Sequence, residues 1–189
     1  MAKFSQAQKE NIQIDYGIVY LNYGEINKSL LGPSKGGGEF NVDVKIRDIE
    51  FDGARGKEKG MQVVETVDSD LKVSVKDTSI KTLALAMPWA TLTGAGTVES
   101  PYELTCENIN IGVIAETSYL KNVTMFAKTL KGEYRQITLY NAMHEGGFSF
   151  KATPKGEAEI ELDFNAHWDP MDDAKDLYDI KTISTIVTI

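Results

Sequence analysis

The sequence predicts a mainly β fold, an antiparallel sandwich or barrel with one flanking α-helix, and three observations predict it. Apolar residues recur at every second position through most of the chain, the period of a strand that buries one face. Glycines at 112, 132, 146, 147 and 156 punctuate these runs, so turn signals come roughly every ten residues, as in all-β domains. One stretch alone, "DTSIKTLALAMPWA", abandons the two-residue period.

In chain order, residues 1–11 are polar and unpatterned and are expected to be a loose arm, with residues 12–189 forming a single domain. Ile12, Ile14, Tyr16, Ile18 and Tyr20 alternate with mostly polar neighbours and give a first strand. "NKSLLGPSKGGGEF" reads as a loop whose Gly36, Gly37 and Gly38 leave the backbone free. From Glu39 to Phe51 a long strand puts Phe40, Val42, Val44 and Ile46 on one face and Glu39, Asn41, Asp43, Lys45 and Arg47 on the other. Apolar parity then passes to Ile49 and Phe51, which predicts a bulge near Arg47–Asp48. "DGARGKEKG" is a charged glycine-rich loop. Met61 to Val67 and Leu71 to Val75 resume the strand pattern, as one strand or as two broken at Asp68-Ser69. In the helix, Ile80, Leu83, Leu85 and Met87 lie off strand parity, Asp77, Thr78 or Ser79 can cap the start, and Pro88 ends it. Alternation returns at 102–115, 119–130, 134–143, 157–168 and 177–188, for roughly eight to ten strands in all.

The stretch "GEAEIELDFNAHWDP" sets Glu157, Glu159, Glu161 and Asp163 against Ala158, Ile160, Leu162 and Phe164. The four acids share one surface, about 7 Å apart, within the roughly 8 Å reach of an unscreened charge at physiological salt. Their repulsion in water is on the order of half a kcal/mol per adjacent pair. Burial of Ile160, Leu162 and Phe164 is worth ~5–9 kcal/mol, so packing tolerates the row. Either the face is simply solvated, or it lines something that must not hold an anion.

Composition narrows the function classes. A chain of 189 residues, 42% hydrophobic and 25% charged, can bury an ordinary globular core. Its formal net charge of −8 disfavours a protein that grips nucleic acid or an anionic membrane. It is compatible with one that lets DNA slide past. Cys106 is alone, so no intrachain disulfide forms, and "MAKFSQAQKENIQ" lacks the apolar core of a secretory signal, so folding in a cytosol is expected.

No chemistry-bearing pattern survives inspection. The glycine-rich segments 32–39 and 53–60 lack a Gly-Lys followed by Ser or Thr, and neither opens a helix. His144, His167 and Cys106 have no ligand spacing, and the cluster Asp169, Asp172, Asp173, Asp176 and Asp179 lacks a calcium-loop pattern. The acid row meets the spacing of a glycosidase pair, but nothing apolar shares its face to raise one carboxyl. Catalytic, cofactor and metal sites are therefore all expected to be absent.

The order of features resembles the tail tube, or major tail, proteins of long-tailed bacteriophages, which share their fold with the tube protein of type VI secretion. The residues that carry the likeness are "EFNVDVKIRDIEFDGARGKEKGMQVVETVDSDLKVSVKDTS", the helix "IKTLALAM" and the closing strand "GEAEIELDFNAHWDP". The resemblance implies a sandwich with a flanking helix, hexameric rings and stacking of rings into a tube around a tape-measure protein, with tail terminator and distal tail proteins as further partners. It also implies assembly in a host bacterial cytoplasm, a place in the virion tail and non-specific passage of double-stranded DNA, with no membrane partner. Four strands from each of six copies would close a barrel roughly 37 Å across at the backbone, wide enough for a duplex. Glu157, Glu159, Glu161 and Asp163 are then the first candidates to face the bore, because phosphates must not be neutralised there. The mixed face Glu39, Asn41, Asp43, Lys45 and Arg47 is the rival. Gly36, Gly37, Gly38, Gly53, Arg55, Lys57, Glu58 and Lys59 are expected at contacts between subunits or rings. The C-terminal "KTISTIVTI" or the N-terminal arm is expected to cover free sheet edges before assembly. The alternatives are another head or tail component of a virion and an extracellular carbohydrate-binding sandwich; for the latter, Trp89 and Trp168 are few and sit in different contexts.

Overall fold

A computed structural model describes residues 3–15, 17–53, 55–107, 111–150, 156–172 and 176–187. All strand pairings are antiparallel. The main strands are β1 (Ile18–Leu21), β2 (Ser29–Leu30), β3 (Ser34–Asp48) and β4 (Gln62–Val75). A short hairpin follows, of β5 (Thr91–Thr93) and β6 (Glu103–Thr105), and then β7 (Leu120–Lys128), β8 (Tyr134–His144), β9 (Ile160–Asn165) and β10 (Tyr178–Ile183). Eight of them form one sheet in the order β2-β1-β7-β8-β9-β4-β3, with β10 also on β8.

That sheet turns back on itself at β8. The first part of β8 pairs with β10 through Tyr134 to Leu139, and its end pairs with β9 through Met143 and His144. The two halves therefore face each other. Phe40 of β3 meets Tyr178 of β10 edge to face at 5.3 Å, and a Cβ on Gly38 would lie 2.5 Å from the Met125 sulfur of β7. Between them lies one core, with Val19, Val123, Met125 and Leu139 from one half and Leu71, Val73, Val75, Ile160, Leu162 and Phe164 from the other. Strict alternation in β9 and in the second half of β4 puts their apolar positions there, as the two-residue period requires. On the outer face of β8, Tyr140 donates a hydrogen bond to Asp179 of β10 at 2.8 Å. Burial first, then that carboxylate, push its hydroxyl up to about 12.

The expected helix is α2 (Ile80–Leu85), capped by the Ser79 hydroxyl and by Asp77, whose carboxylate accepts from Ser79 and Thr82. Those donors hold the Asp77 carboxyl below its ordinary range. Leu83 and Leu85 turn α2 onto the core.

Several expectations are corrected. The N-terminal stretch holds a second short helix, α1 (Gln6–Glu10), because Ser5 and Gln8 form a reciprocal capping box. The chain after it is tied down at Ile12 and Ile14, which pair with Leu130 and Lys128. The first strand is only Ile18–Leu21, since Gln13 makes a single bridge to Thr129. Of the expected alternation at 102–115, only β6 is a strand among the described residues. The bulge lies on the partner strand. Lys45 pairs with Thr66 and Ile46 with Val64, so Glu65 is the extra residue and both Lys45 and Arg47 bind it. Gly36, Gly37 and Gly38 are not a loop but part of β3. Gly36 and Gly37, both at φ 81°, make an irregularity between Lys35 and Gly38 that only glycine accepts without strain. Gly38 is required for room against Met125. The C-terminal segment supplies an edge rather than covering one: β10 ends at Ile183, and Val187 rests against Tyr23 and Lys28.

Candidate functional site

Cross-strand register decides which side chains share the outer face of β9, β4 and β3. Asp163 lies opposite Lys72, which lies opposite Glu39; Asn165, Asp70 and Asn41 make the next row, and Glu161, Ser74 and Lys35 the row before. The two faces that the sequence sets up as rivals are thus one face. Glu159, Glu161 and Asp163 continue through Lys72 and Asp70 into Glu39, Asn41, Asp43, Lys45 and Arg47.

Lysines interleave with the acids on this face. Lys76 binds Glu157, Lys35 binds Glu159 at 2.6 Å, and Lys72 stands 3.5 Å from Asp70 and 3.7 Å from Asp163. The hydrogen bond from Lys35 holds the Glu159 carboxyl below its ordinary range. Lys72, drawn first by Asp163 and then by Asp70, is raised. Asp163 is also raised, because burial outweighs the lysine, and its Oδ1 is enclosed without a partner among the described residues. Exposed pairs of this kind are each worth little in stability. Their effect is to turn a bare acidic row into a mixed surface on which acids still outnumber bases. The lysines were legible in "LKVSVKD", where Lys72 and Lys76 hold the polar parity of the strand.

Beyond Val42 and Ser69 the β3–β4 hairpin leaves the body as an arm. Its turn, with Gly53, Arg55, Lys57, Glu58 and Lys59, is exposed at every described residue and tied by Lys57 to Asp48 at 3.6 Å and by the Met61 amide to the Glu58 carbonyl. Three strands of the large sheet keep an open edge among the described residues, the two-residue β2 at one end and two longer ones. β3 is terminal in the sheet along its whole length, and β10 pairs only with β8.

The histidines are structural partners rather than a cluster. His144 is 4% exposed, and its Nδ1 accepts the Asp163 amide at 2.9 Å. That places the proton of the neutral ring on Nε2, which has no partner among the described residues. Burial lowers its pKa from the ordinary 6.5, against the pull of Asp163. His167 bridges the Glu145 carboxylate at 2.8 Å and the Asn141 carbonyl at 3.0 Å. Cys106 is exposed. Asp169 and Asp179 serve turns and strands through Met171 and Tyr140, and Asp173 lies outside the described residues. Among the described residues no group of three or more His, Cys, Asp or Glu gathers as for a metal ion.

A pH dependence follows from His144. Below 6.5 the unfolded chain takes up a proton more readily than the folded one, so stability falls as pH drops from 6.5 toward the lowered folded value. Asp163 acts with opposite sign in a separate window just above 3.8. Thermal unfolding followed from neutrality through pH 6.5 should show the midpoint fall. His144→Gln, which can still accept the Asp163 amide, should flatten that slope, and an unchanged slope contradicts the assignment.

No family model matches the chain, and no curated protein matches it. Among solved structures the chain is similar to one in the virion of a native gene transfer agent particle, with TM-score 0.44 and 9% identity over 81% of this chain and 92% of that chain. It is also similar to one in the tail of an empty gene transfer agent particle with C6 symmetry, with TM-score 0.39 and 8% identity over 80% and 91% of the two chains. Likenesses this remote carry no functional weight, which rests on the faces and edges of the chain itself.

Proposed function

We propose that the chain is the structural subunit of a bacteriophage tail tube, in which copies close into hexameric rings and rings stack into a conduit for DNA. The observation that carries this reading is the pair of long open edges. β3, a strand of 15 residues, and β10, of six, each have a partner strand on one side only, so alternate residues of each turn unpaired N–H and C=O groups outward. An edge of that length invites pairing with another chain, and closure into a ring satisfies it without runaway growth. The glycine irregularity at Gly36–Gly37 and the lysines on β3 restrict which strand can pair there.

In the tube, the joined face of β9, β4 and β3 lines the bore. Its acids keep phosphates from settling, while Lys35, Lys72 and Lys76 moderate the field so that the empty wall does not repel itself apart. Residues 12–189 act as one tube domain, with Gly36–Gly38 beside the subunit joint and the 53–59 turn reaching the adjacent ring. A tape-measure protein fills the bore before DNA, and terminator and distal tail proteins cap the ends. This places the protein in the virion tail, assembled in the host cytoplasm, with no enzymatic role.

Negative-stain microscopy of the purified protein at high concentration should show rings or tubes, and a reconstruction should place Glu161, Asp163 and Glu39 on the inner wall. A compact single particle at every concentration and with tail partners added overturns the reading. Tubes with these acids on the outside would retain the assembly and remove the electrostatic account of the bore.

A further inference from the structure

A cavity of about 610 Å³ opens between α2, residues 87–92, residues 113–118 and the ends of β8 and β9. Leu85, Met87, Trp89, Leu120 and Phe164 give it an apolar wall. Sites for small organic molecules run from roughly 300 to 1,000 Å³ and are mostly apolar with a few polar groups, and the cavity has that size and that lining. None of its lining residues belongs to β3 or β10, so it stands apart from the long open edges.

Charge sets the chemistry of the occupant. The chain carries 28 acids against 20 lysines and arginines, yet no Asp or Glu lines the cavity, whereas Lys81 does. Lys81 lies on the same side of α2 as Ala84 and Leu85, three and four residues on, and all three line the cavity. Its ammonium stands 5.0 Å from the centre of the Tyr102 ring and makes no ion pair among the described residues. The buried His144 is a second electropositive group in the lining. The Asp163 amide takes its Nδ1 lone pair, so the nitrogen left over is an N–H donor, enclosed and without a partner among the described residues. An apolar wall with an ammonium, an unused donor and no carboxylate beside them favours an anion with an apolar body over a cation of the same shape.

We infer that the cavity binds an amphipathic monocarboxylate, of which a medium-chain fatty acid is the simplest. The hydrocarbon lies against Leu85, Met87, Trp89 and Phe164, and the carboxylate stays on the α2 side, where Lys81 pairs with it. That position suits the charge. A carboxylate carried to the apolar floor would lose its hydration, whereas beside an exposed lysine it keeps most of it.

Decanoate is the probe, and Trp168→Phe leaves Trp89, in the cavity wall, as the single tryptophan to report on it. In that background decanoate should change Trp89 fluorescence saturably, with a Kd of about 1 mM or tighter, and should raise the thermal midpoint as a ligand of the folded chain does. Lys81→Met keeps an apolar stem and removes the charge; it should weaken decanoate about three- to fivefold and leave the uncharged decanol unchanged. Ala84→Phe, which fills the cavity from α2, should abolish the binding of both, and Thr117→Phe, at an exposed rim position, takes its place if circular dichroism shows Ala84→Phe to be misfolded. Absence of saturable binding overturns the inference, and so does a falling midpoint, which marks a detergent. Decanoate binding that survives the filling variants, or that Lys81→Met weakens no more than it weakens decanol, overturns it as well. None of these outcomes bears on the tube reading.

Discussion

Phe164→Ala is expected to lower the unfolding free energy by about 3–5 kcal/mol. Phe164 is 1% exposed and sits where three strands meet, opposite Leu71 of β4 and His144 of β8. The turn of the sheet between its two halves is made there, through only two residue pairs of β8 and β9. The lost ring is therefore both packing volume and the wedge that sets the angle between the halves. For a chain of this size each kcal/mol moves the midpoint by about 2–4 °C, so a fall of roughly 6–20 °C should appear in thermal denaturation. Trp168→Ala, at a position 60% exposed, is the matched control and should move it little. A Phe164→Ala protein within a degree or two of the parent means that the core is not organised around this junction.

The contrast shows which parts of the molecule were legible. Phe164, Ile160 and Leu162 declare themselves by strict alternation, since a strand with one buried face has no other way to be written. The helix declared itself because Ile80, Leu83 and Leu85 cannot share one side of a strand. Gly36 to Gly38 misled because three glycines resemble a loop, yet two of them supply positive φ and the third makes room for Met125, needs that arise only when strands and layers are assembled. The bulge was felt at Arg47–Asp48 through the change of parity on β3, but the extra residue is Glu65 on the opposite strand, which register alone reveals. For the same reason the two charged rows looked like rivals. A single strand shows its own face, and only pairing through Lys72 shows that Asp163 and Glu39 stand on the same surface.

Deletion of residues 54–59 should leave a folded, soluble protein that no longer forms tubes. The turn contributes almost nothing to the body: its described residues are exposed, and the ion pair of Lys57 with Asp48 is a surface contact of little worth. The Ile49 amide bonds the Met61 carbonyl at the arm's end, so residues 50–60 form the loop that the deletion shortens to five, an ordinary hairpin length with Gly53 and Gly60 on hand for tight φ. Closing a loop half as long recovers about 0.6 kcal/mol of chain entropy, which offsets the lost contacts, so the thermal midpoint should stay within a few degrees of the parent. The same six residues hold Arg55, Lys57 and Lys59, the only cations between Ile49 and Met61. A large effect on assembly beside a negligible one on folding can arise only if the tip touches another copy. Unimpaired tubes from the shortened chain, seen by negative stain at the parent's concentration, would count against any contact of this turn with another subunit or ring.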